Sequence, residues 1–454
     1  GMSISQCLVL TCIVRIYVRM FFRWVVPTPR VDVRTGLEVS VPAAHAFWDM
    51  LRHNSTLWEL DLSSGGLTDE HMRPLPDILR GHSGLYDLYL LGNRISGSML
   101  SCIGSMLSQH RTLKVVNLAF NRNEDGNDTA FGFAESLQAG CRLCDLDLGK
   151  NKIGETGAVA LANAVLHNHR LLELGLEENR IGSEGAAALG EAIAENRSLK
   201  ILALWNNSIE ESGMLSLLQG LRRNRCLWSC GLSENKFDVR CAKELAHVLQ
   251  EHPNLAKLSL SAVNLDVHMM GYLCSALPAS KIRVLDISGN HFGDDGCELL
   301  AAALRRGAGC LRSVILTDTG VGSEGVTSLA NSLHGNLLMS ELFLADNRIG
   351  DEALMALAQL FSSGSARIQL LDISKNPVSS TGLCSVAQSL KGWNQELRDL
   401  YTLDNPVPGE FLRCLCDSLQ ENALFRKLYI SAPHIQDSEA WREFSREMSH
   451  RHLF

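Results

Sequence analysis

The chain has 454 residues, of which 46% are hydrophobic and 20% are charged, so its length and composition allow a large core built mostly of aliphatic side chains. The formal net charge of −8 argues against broad nucleic-acid binding, which depends on clustered lysine and arginine. Fourteen cysteines are too few for this length to form the dense disulfide framework of a small secreted domain.

The first predicted segment is a leader, residues 1–41, that lies outside any repeat pattern. Its residues 7–26 are apolar but are interrupted by Arg15, Arg19 and Arg23, which are spaced by four and therefore share one face of a helix. Three arginines are costly inside a membrane span, and a secretory signal peptide carries its charge before the apolar run. Two interpretations stay open: a basic amphipathic helix for membrane contact or organelle targeting, or a disordered leader without a function.

Repeats fill most of the remaining chain. Residues 42–56 resemble the helix half of a repeat that lacks its own strand, and we predict that they form an N-terminal capping helix. From residue 57 the pattern LxxLxLxxNxI recurs every 27 to 30 residues. We predict thirteen repeats over 57–424, then a degenerate repeat and C-terminal cap over 425–454, where Pro433 replaces the asparagine of the pattern. The pattern starts at Leu57, Leu85, Leu113, Leu143, Leu171, Leu199, Leu227, Leu255, Ile282, Leu311, Met339, Ile368, Leu397 and Phe425.

Each position of the pattern has a physical role. The LxL portion is a short strand whose alternate side chains point into the core. The sharp turn after it leaves backbone groups out of reach of water, and a buried asparagine amide can satisfy them. Ten repeats carry this ladder asparagine, at Asn93, Asn121, Asn151, Asn179, Asn207, Asn235, Asn290, Asn347, Asn376 and Asn405.

A helix is predicted after each turn. In the fifth repeat Leu189 and Ile193 lie four residues apart and share one face. Stacked repeats bury this face, which gives a parallel sheet inside and helices outside, and the wider helix layer curves the stack into a horseshoe. A glycine near the helix start would let the helix approach the strand layer closely, and it recurs at Gly157, Gly185, Gly213, Gly296, Gly325 and Gly382.

The most frequent spacing, 28 residues with a full helix, resembles the ribonuclease-inhibitor subtype of leucine-rich repeats. Ribonuclease inhibitors, the repeat domains of NOD-like receptors and Ran GTPase-activating proteins share this subtype. The resemblance covers residues 57 to about 440, is specific for the fold and says little about function. It implies an α/β leucine-rich-repeat solenoid with a parallel β-sheet on the concave face and α-helices on the convex face. Because no nucleotide-binding module precedes the repeats, we do not expect a complete NOD-like receptor in this chain.

Side chains between the core leucines are predicted to face the concave side. Acidic residues outnumber basic ones at these positions in the first five repeats, whereas the charges balance in the other nine. Exposed aromatics among carboxylates are typical of a binding face, on which aromatics anchor and charges steer; the alternative is a solvated acidic surface. The predicted partner-binding residues are Trp58, Glu59, Asp61, Tyr86, Asp87, Tyr89, Asp145, Asp147, Glu173, Glu177, Trp205 and Trp228, with Asn117 and Phe120 facing the same way.

The sequence predicts no enzyme, cofactor or metal site. Cys141 and Cys144 form a C-x-x-C without the second ligand pair that a zinc site requires, so we interpret them as ordinary thiols. Cysteines such as Cys230 and Cys241 replace apolar residues of the repeat, which favours buried, reduced thiols and a cytoplasmic location. The four glycosylation sequons, which begin at Asn54, Asn127, Asn196 and Asn206, matter only for a secreted protein.

These observations predict a scaffold or sensor that binds a protein partner with a basic surface, and neither nucleic acid nor a cofactor. One alternative is a GTPase activator of the Ran type, although that family typically ends in a long acidic tail, and its catalytic-arginine loop is not recognisable here. A second alternative is a repeat fragment of an inhibitor or an immune receptor. Membrane contact through residues 7–26 and an organelle location are open alternatives for the leader.

Overall fold

The computed structural model describes residues 30–32, 40–82, 84–121, 126–308, 310–391, 396–420, 422, 424–431 and 434–447. The chain divides into two compact units, unit 1 (residues 1–236) and unit 2 (residues 237–454). Within each unit, parallel strands pair in chain order and a helix follows nearly every strand. The predicted α/β solenoid is confirmed in both units.

Unit 1 contains eight strands and eight helices in its described residues. In chain order they are β1 (Arg30–Asp32), α1 (Val41–Arg52), β2 (Glu59–Asp61), α2 (Asp69–Met72), α3 (Leu75–Gly81), β3 (Asp87–Tyr89), α4 (Gly97–Met106), β4 (Val115–Asn117), α5 (Asn127–Gln138), β5 (Asp145–Asp147), α6 (Glu155–His167), β6 (Glu173–Gly175), α7 (Gly182–Glu195), β7 (Ile201–Ala203), α8 (Glu211–Arg223) and β8 (Ser229–Gly231).

Unit 2 contains seven strands and eight helices in its described residues, with a short 3₁₀ turn (Leu277–Ala279). In chain order they are α9 (Val239–Glu251), β9 (Lys257–Ser259), α10 (Val267–Ala276), β10 (Val284–Asp286), α11 (Gly293–Arg305), β11 (Ser313–Ile315), α12 (Ser323–Ser332), β12 (Glu341–Phe343), α13 (Asp351–Ser362), β13 (Leu370–Asp372), α14 (Ser380–Ser389), β14 (Asp399–Tyr401), α15 (Gly409–Leu419), β15 (Lys427–Tyr429) and α16 (Ser438–Glu447).

The ladder asparagines satisfy the turns as predicted. The side-chain oxygen of Asn179 accepts hydrogen bonds from the backbone N–H groups of Asn151 and Ile153, at 3.0 and 2.9 Å. Its amide nitrogen donates to the carbonyl oxygens of Leu148 and Leu176, at 3.0 and 2.8 Å. One side chain therefore joins two successive repeats, and the same arrangement recurs at Asn347 in unit 2.

A left-handed backbone residue stands immediately before each ladder asparagine, which the sequence pattern did not reveal. Its φ is 51° at Glu178 and 55° at Asp346, while Gly92 and Gly289 fill the position in other repeats. Residues with a Cβ atom rarely adopt this conformation, except Asn and Asp. The turn after each strand therefore imposes a local cost that the ladder hydrogen bonds offset.

A second row of buried polar side chains links each helix to the next strand. Asn196 is 2% exposed, and its side-chain oxygen accepts the backbone N–H groups of Ser198 and Leu199. His110 does the same through Nδ1 with Thr112 and Leu113. Asn196 begins a sequon, but its amide is occupied inside the fold. The other buried members of this row are His82, Asn168, Asn224, His252 and Asn422. Asn54, which is exposed, and Asn336, which is half-buried, accept the same backbone hydrogen bonds at equivalent positions.

The recurring glycines have a packing role beyond the predicted one. A Cβ atom on Gly185 would lie 2.7 Å from Cβ of Ala158, which belongs to the preceding helix α6. A Cβ atom on Gly213 would lie 2.6 Å from the backbone of Ser183, in α7. The glycines therefore admit the neighbouring helix. They also leave room for the apolar residue that follows the turn in their own repeat, since the Cβ atom on Gly185 would lie 2.7 Å from Cγ2 of Ile181 as well.

The structure corrects the interpretation of the N-terminal region. Helix α1 does not lack a preceding strand, because Arg30–Asp32 forms β1, which pairs in parallel with Glu59–Asp61. A three-residue strand needs only backbone hydrogen bonds and leaves no repeat pattern behind. The predictions for residues 7–26 and Pro433 lie outside the described residues. No helix among the described residues is long and apolar enough to cross a membrane.

Candidate functional site

The outward side chains of unit 1 form two rows, because the strands pair in exact register about 4.8 Å apart. Residues on either side of the buried central residue face outward and stack on their equivalents in neighbouring strands. The first row contains Glu59, Asp87, Val115, Asp145, Glu173, Ile201 and Ser229, and the second contains Asp61, Tyr89, Asn117, Asp147, Gly175, Ala203 and Gly231.

Four carboxylates from these strands and the turn after β6 meet in one cleft of about 220 Å³, here called the acidic cleft. The large side chain of Tyr89 lines the cleft at its β3 end. On β6 and β7 the second row contains only Gly175 and Ala203, whose small size leaves space above these strands. The cleft is therefore open to a side chain that approaches from outside. Its lining residues are Tyr89, Val115, Asn117, Asp145, Asp147, Glu173, Leu174, Gly175, Glu177, Ile201 and Ala203.

Asp145 carries the strongest electrostatic signal of the acidic cleft. Partial burial, followed by the negative charges of Glu173, Asp147 and Asp87, raises the pKa of its carboxyl group to about 6. Neither Asp145 nor Glu173 has an ion-pair partner within the described part of the chain. The cleft thus concentrates negative charge that the protein itself does not neutralise.

Asp147 combines a structural contact with its place in the cleft. Its two oxygens accept hydrogen bonds from the backbone N–H of Gly149, at 3.0 Å, and from the amide of Asn117, at 2.7 Å. Burial raises the pKa of Asp147, and these two hydrogen bonds act in the opposite direction. Its carboxylate is therefore held in a fixed orientation towards the cleft.

Glu177 follows β6, and its side chain lies against Gly149 and Gly175. A Cβ atom on Gly149 would lie 2.8 Å from its carboxyl carbon, so only glycine leaves the required space. Burial, and then the charge of Asp147, raises the pKa of Glu177. Its Oε2 atom is buried and has no hydrogen-bond partner in the described residues. A cationic donor entering the cleft would satisfy this oxygen.

Aromatic side chains flank the cleft on both sides. Towards β2, the rings of Trp58 and Tyr86 lie 6.1 Å apart, and the Nζ atom of Lys114 lies 5.4 Å from the Tyr86 ring centre. Towards β8, Trp205 is half-buried, whereas Trp228 is 38% exposed. These rings could supply apolar contact to a partner beside the charged centre.

The structure brings together only part of the predicted partner-binding set. Tyr89, Asp145, Asp147, Glu173 and Glu177 line the acidic cleft, and the other predicted residues except Asp61 are at least partly exposed on unit 1. The prediction is wrong for Asp61, which is 2% exposed and accepts the backbone N–H of Ser63 at 3.0 Å.

Other types of site find little support. The described residues contain no cluster of three or more side chains suited to hold a metal ion. Cys141 is buried, and burial raises the pKa of its thiol, which disfavours the thiolate that a metal would bind. Cys230 and Cys241 are buried in the core, as predicted.

Comparison with known proteins agrees with the architecture. A family model described as "Leucine Rich repeat" matches residues 143–162 and 167–190 in unit 1, and 279–301 and 335–358 in unit 2. The chain is a leucine-rich-repeat protein. Its repeats are of the ribonuclease-inhibitor-like type that the 28-residue spacing predicted.

The similar curated proteins are much longer than this chain. Human NACHT, LRR and PYD domains-containing protein 5 is 28% identical over 208 residues, which cover 44% of this chain and 16% of that protein. Mouse NACHT, LRR and PYD domains-containing protein 3 is 28% identical over 172 residues, which cover 37% of this chain and 17% of that protein. The chain thus spans less than a fifth of the length of these two relatives.

Two solved structures also show similarity. The TLR13–ssRNA13 complex matches 82% of this chain and 51% of its own chain, with 17% identity and a TM-score of 0.40. An internalin from Listeria monocytogenes matches 76% of this chain and 92% of its own, with 14% identity and a TM-score of 0.42.

Proposed function

We propose that this leucine-rich-repeat chain is a non-enzymatic protein-binding or sensor scaffold, and that its acidic cleft receives a basic segment of a partner protein. The observation that carries the proposal is the uncompensated charge around Asp145, whose pKa is raised to about 6 by burial and by three neighbouring carboxylates. Similarity to NACHT, LRR and PYD domains-containing proteins supports a scaffold or sensor. The basic partner is inferred from charge complementarity.

Binding of a cation would offset the repulsion among the carboxylates of the acidic cleft. A lysine or arginine side chain placed there would interact with Asp145 and Glu173 and offer a donor to the buried oxygen of Glu177. Charges of opposite sign on two surfaces also accelerate encounter, and this acceleration is screened by salt. We therefore expect association to slow markedly as salt rises, while the flanking aromatics govern dissociation.

The test begins with peptides selected from a random-sequence display library on the wild-type chain. The selected peptides should be enriched in lysine and arginine, and one of them serves as the probe in fluorescence anisotropy at low and high salt. The double variant Asp145→Asn with Glu173→Gln should weaken probe binding about tenfold at low salt, since each lost charge contact contributes about 0.7 kcal/mol. Both substitutions preserve side-chain size, and neither residue forms a side-chain hydrogen bond within the described part of the chain.

A matched control occupies equivalent first-row positions of unit 2. The double variant Glu341→Gln with Asp399→Asn removes the same charge from β12 and β14, and it should leave the affinity of the probe unchanged. Selection of peptides without basic residues would contradict the proposal. Equal weakening by the two double variants would also contradict it, because net charge alone would then explain the effect.

A further inference from the structure

Phe120 combines two features that are unfavourable for folding. It occupies the left-handed position before the ladder asparagine Asn121, with a φ of 58°, and its side chain is 42% exposed. The equivalent position holds Lys150 and Glu178 in the next two repeats and Gly92 in the previous one. A bulky aromatic residue is poorly suited to this backbone conformation, and no other described residue at this position of the repeat is aromatic.

The ring of Phe120 has a neighbour at one edge and another over one face, and the side chain is still 42% exposed. The position of a Cβ atom on Gly92 would lie 3.7 Å from Cδ1 of Phe120, so this glycine lies against one edge of the ring. The Nζ atom of Lys150 lies 4.7 Å from the ring centre and is held by Glu178 at 2.7 Å. Leu91, in the neighbouring turn, is itself 37% exposed. The exposed part of the Phe120 ring, which lies against the turn that contains Leu91 and Gly92, is here called the Phe120 platform.

The Phe120 platform lies close to the acidic cleft along the same chain segment. Phe120 follows Asn117 by three residues, and Asn117 donates a hydrogen bond of 2.7 Å to Asp147 in the cleft. Three residues span at most about 10 Å, so Phe120 lies within this distance of Asn117, and three residues of an extended peptide are long enough to cover it. A single extended segment can therefore reach both the cleft and the platform.

We infer that the Phe120 platform is a second subsite for the same partner, and that it binds an apolar side chain about three positions from the basic residue in the cleft. The inference rests on the proposed function, since charge complementarity in the cleft defines the occupant as an extended basic segment of another protein. The cleft favours a partner segment with a positively charged residue. The platform favours an aliphatic or aromatic residue at a fixed separation from that charge.

The inference is tested with synthetic peptides of one length in a glycine–serine background. Each carries one arginine, with a leucine three positions away, six positions away or absent. The peptide with the spacing of three should bind wild-type protein at least about fivefold more tightly than the other two. Phe120→Gly should abolish this preference but leave the salt dependence of binding intact, and Phe120→Trp should retain the preference.

Glu234→Gly is the matched control, because Glu234 is exposed and has a φ of 56° at the equivalent position of a later repeat. It reports the effect of glycine on the backbone and should not change the leucine preference. Salt-dependent binding that ignores the leucine position, or that Phe120→Gly leaves unchanged, would overturn this inference alone. Absence of salt-dependent binding would instead overturn the proposed function. Self-association of the wild type through Phe120, seen by sedimentation, would assign the platform to a second copy and also overturn the inference.

Discussion

Units 1 and 2 use the same repeat but place their acidic residues differently. In unit 2, Asp286 occupies the same second-row position as Asp147 in unit 1, yet its oxygens accept the hydroxyl groups of Ser259 and Ser288, at 2.8 and 2.7 Å. In unit 1 the same strand instead supplies a second carboxylate, Asp145, and the neighbouring strand β6 supplies Glu173. An aspartate at the end of a strand therefore belongs to the scaffold when hydroxyl groups surround it. It contributes to a charged site when other carboxylates surround it.

The aromatic residues differ between the units in a similar way. Tyr401 and Tyr429 in unit 2 stack on each other with ring centres 4.0 Å apart and an angle of 7° between planes. Burial, followed by the interaction with Tyr429, raises the pKa of Tyr401 to about 12. These two rings are largely occupied by each other, whereas Trp228 and Phe120 in unit 1 expose 38% and 42% of their surfaces. In unit 1, exposed aromatic side chains thus occur together with the carboxylates of the acidic cleft.

The largest predicted effect tests whether the scaffold is the same in both units. Asn179→Ala in unit 1 and Asn347→Ala in unit 2 should each lower the free energy of unfolding by about 3 kcal/mol, because each leaves several buried backbone groups without partners. Asn163→Ala, at an exposed position of α6, is the control and should cost less than about 0.5 kcal/mol. Denaturant titration measures all three, and a large cost in one unit only would show that the two scaffolds differ.

The next effect concerns acid stability and arises in the buried polar row that contains Asn196 and His110. Burial, and then the charge of His82, lowers the pKa of His110 to about 4, and its Nδ1 atom must stay unprotonated to accept two backbone N–H groups. The unfolded chain takes up this proton below about pH 6.5, whereas the folded chain does so only near pH 4. Stability should therefore fall as the pH drops between these values, by about 2 kcal/mol at pH 5.

His110→Asn should remove most of this loss, because Asn168 and Asn196 already fill the equivalent position in other repeats. Thermal unfolding at pH 7 and pH 5 compares the variant with the wild type. His167→Asn, which changes an exposed histidine at the end of α6, controls for the mere loss of a titrating group. An unchanged pH dependence in His110→Asn would show that other groups cause acid unfolding.

A smaller effect links the acidic cleft to stability. Because the pKa of Asp145 is raised in the folded chain, its charged form is disfavoured there, and stability is lost as the pH rises through about 6. Asp145→Asn should therefore stabilise the protein at pH 7.5 by about 1 kcal/mol, after allowance for solvent screening of this partly exposed group, and hardly at all near pH 4. A stabilisation that does not depend on pH would mean that charge repulsion is not its cause.

The sequence predicted the regular features of the fold and missed those that depend on neighbours. Leu174 and Asn179 recur at fixed intervals, so their burial could be inferred from one repeat and extended to the others. The row that contains Asn196 and His110 was missed, because two residue types share the position. Strand β1 was missed because backbone pairing alone defines it.

The candidate site could be predicted only in outline for the same reason. The alternation of the strand pattern places Asp61 and Asp147 on the same face, but only the structure shows that Asp61 is buried while Asp147 lines a cleft. The cleft also depends on the small size of Gly175 and Ala203, which stand in register beside the carboxylates. The register between strands arises only when repeats stack, so the sequence of a single repeat does not reveal it.

Hydrogen–deuterium exchange with the selected basic peptide tests the central claim most directly, since it locates the bound partner without any substitution. Binding in the acidic cleft should slow exchange in the turns after β4, β5 and β6, which include the backbone amides of Phe120, Lys150 and Glu178, and should leave unit 2 unchanged. Slower exchange confined to unit 2 or to the helices of unit 1 would contradict the account.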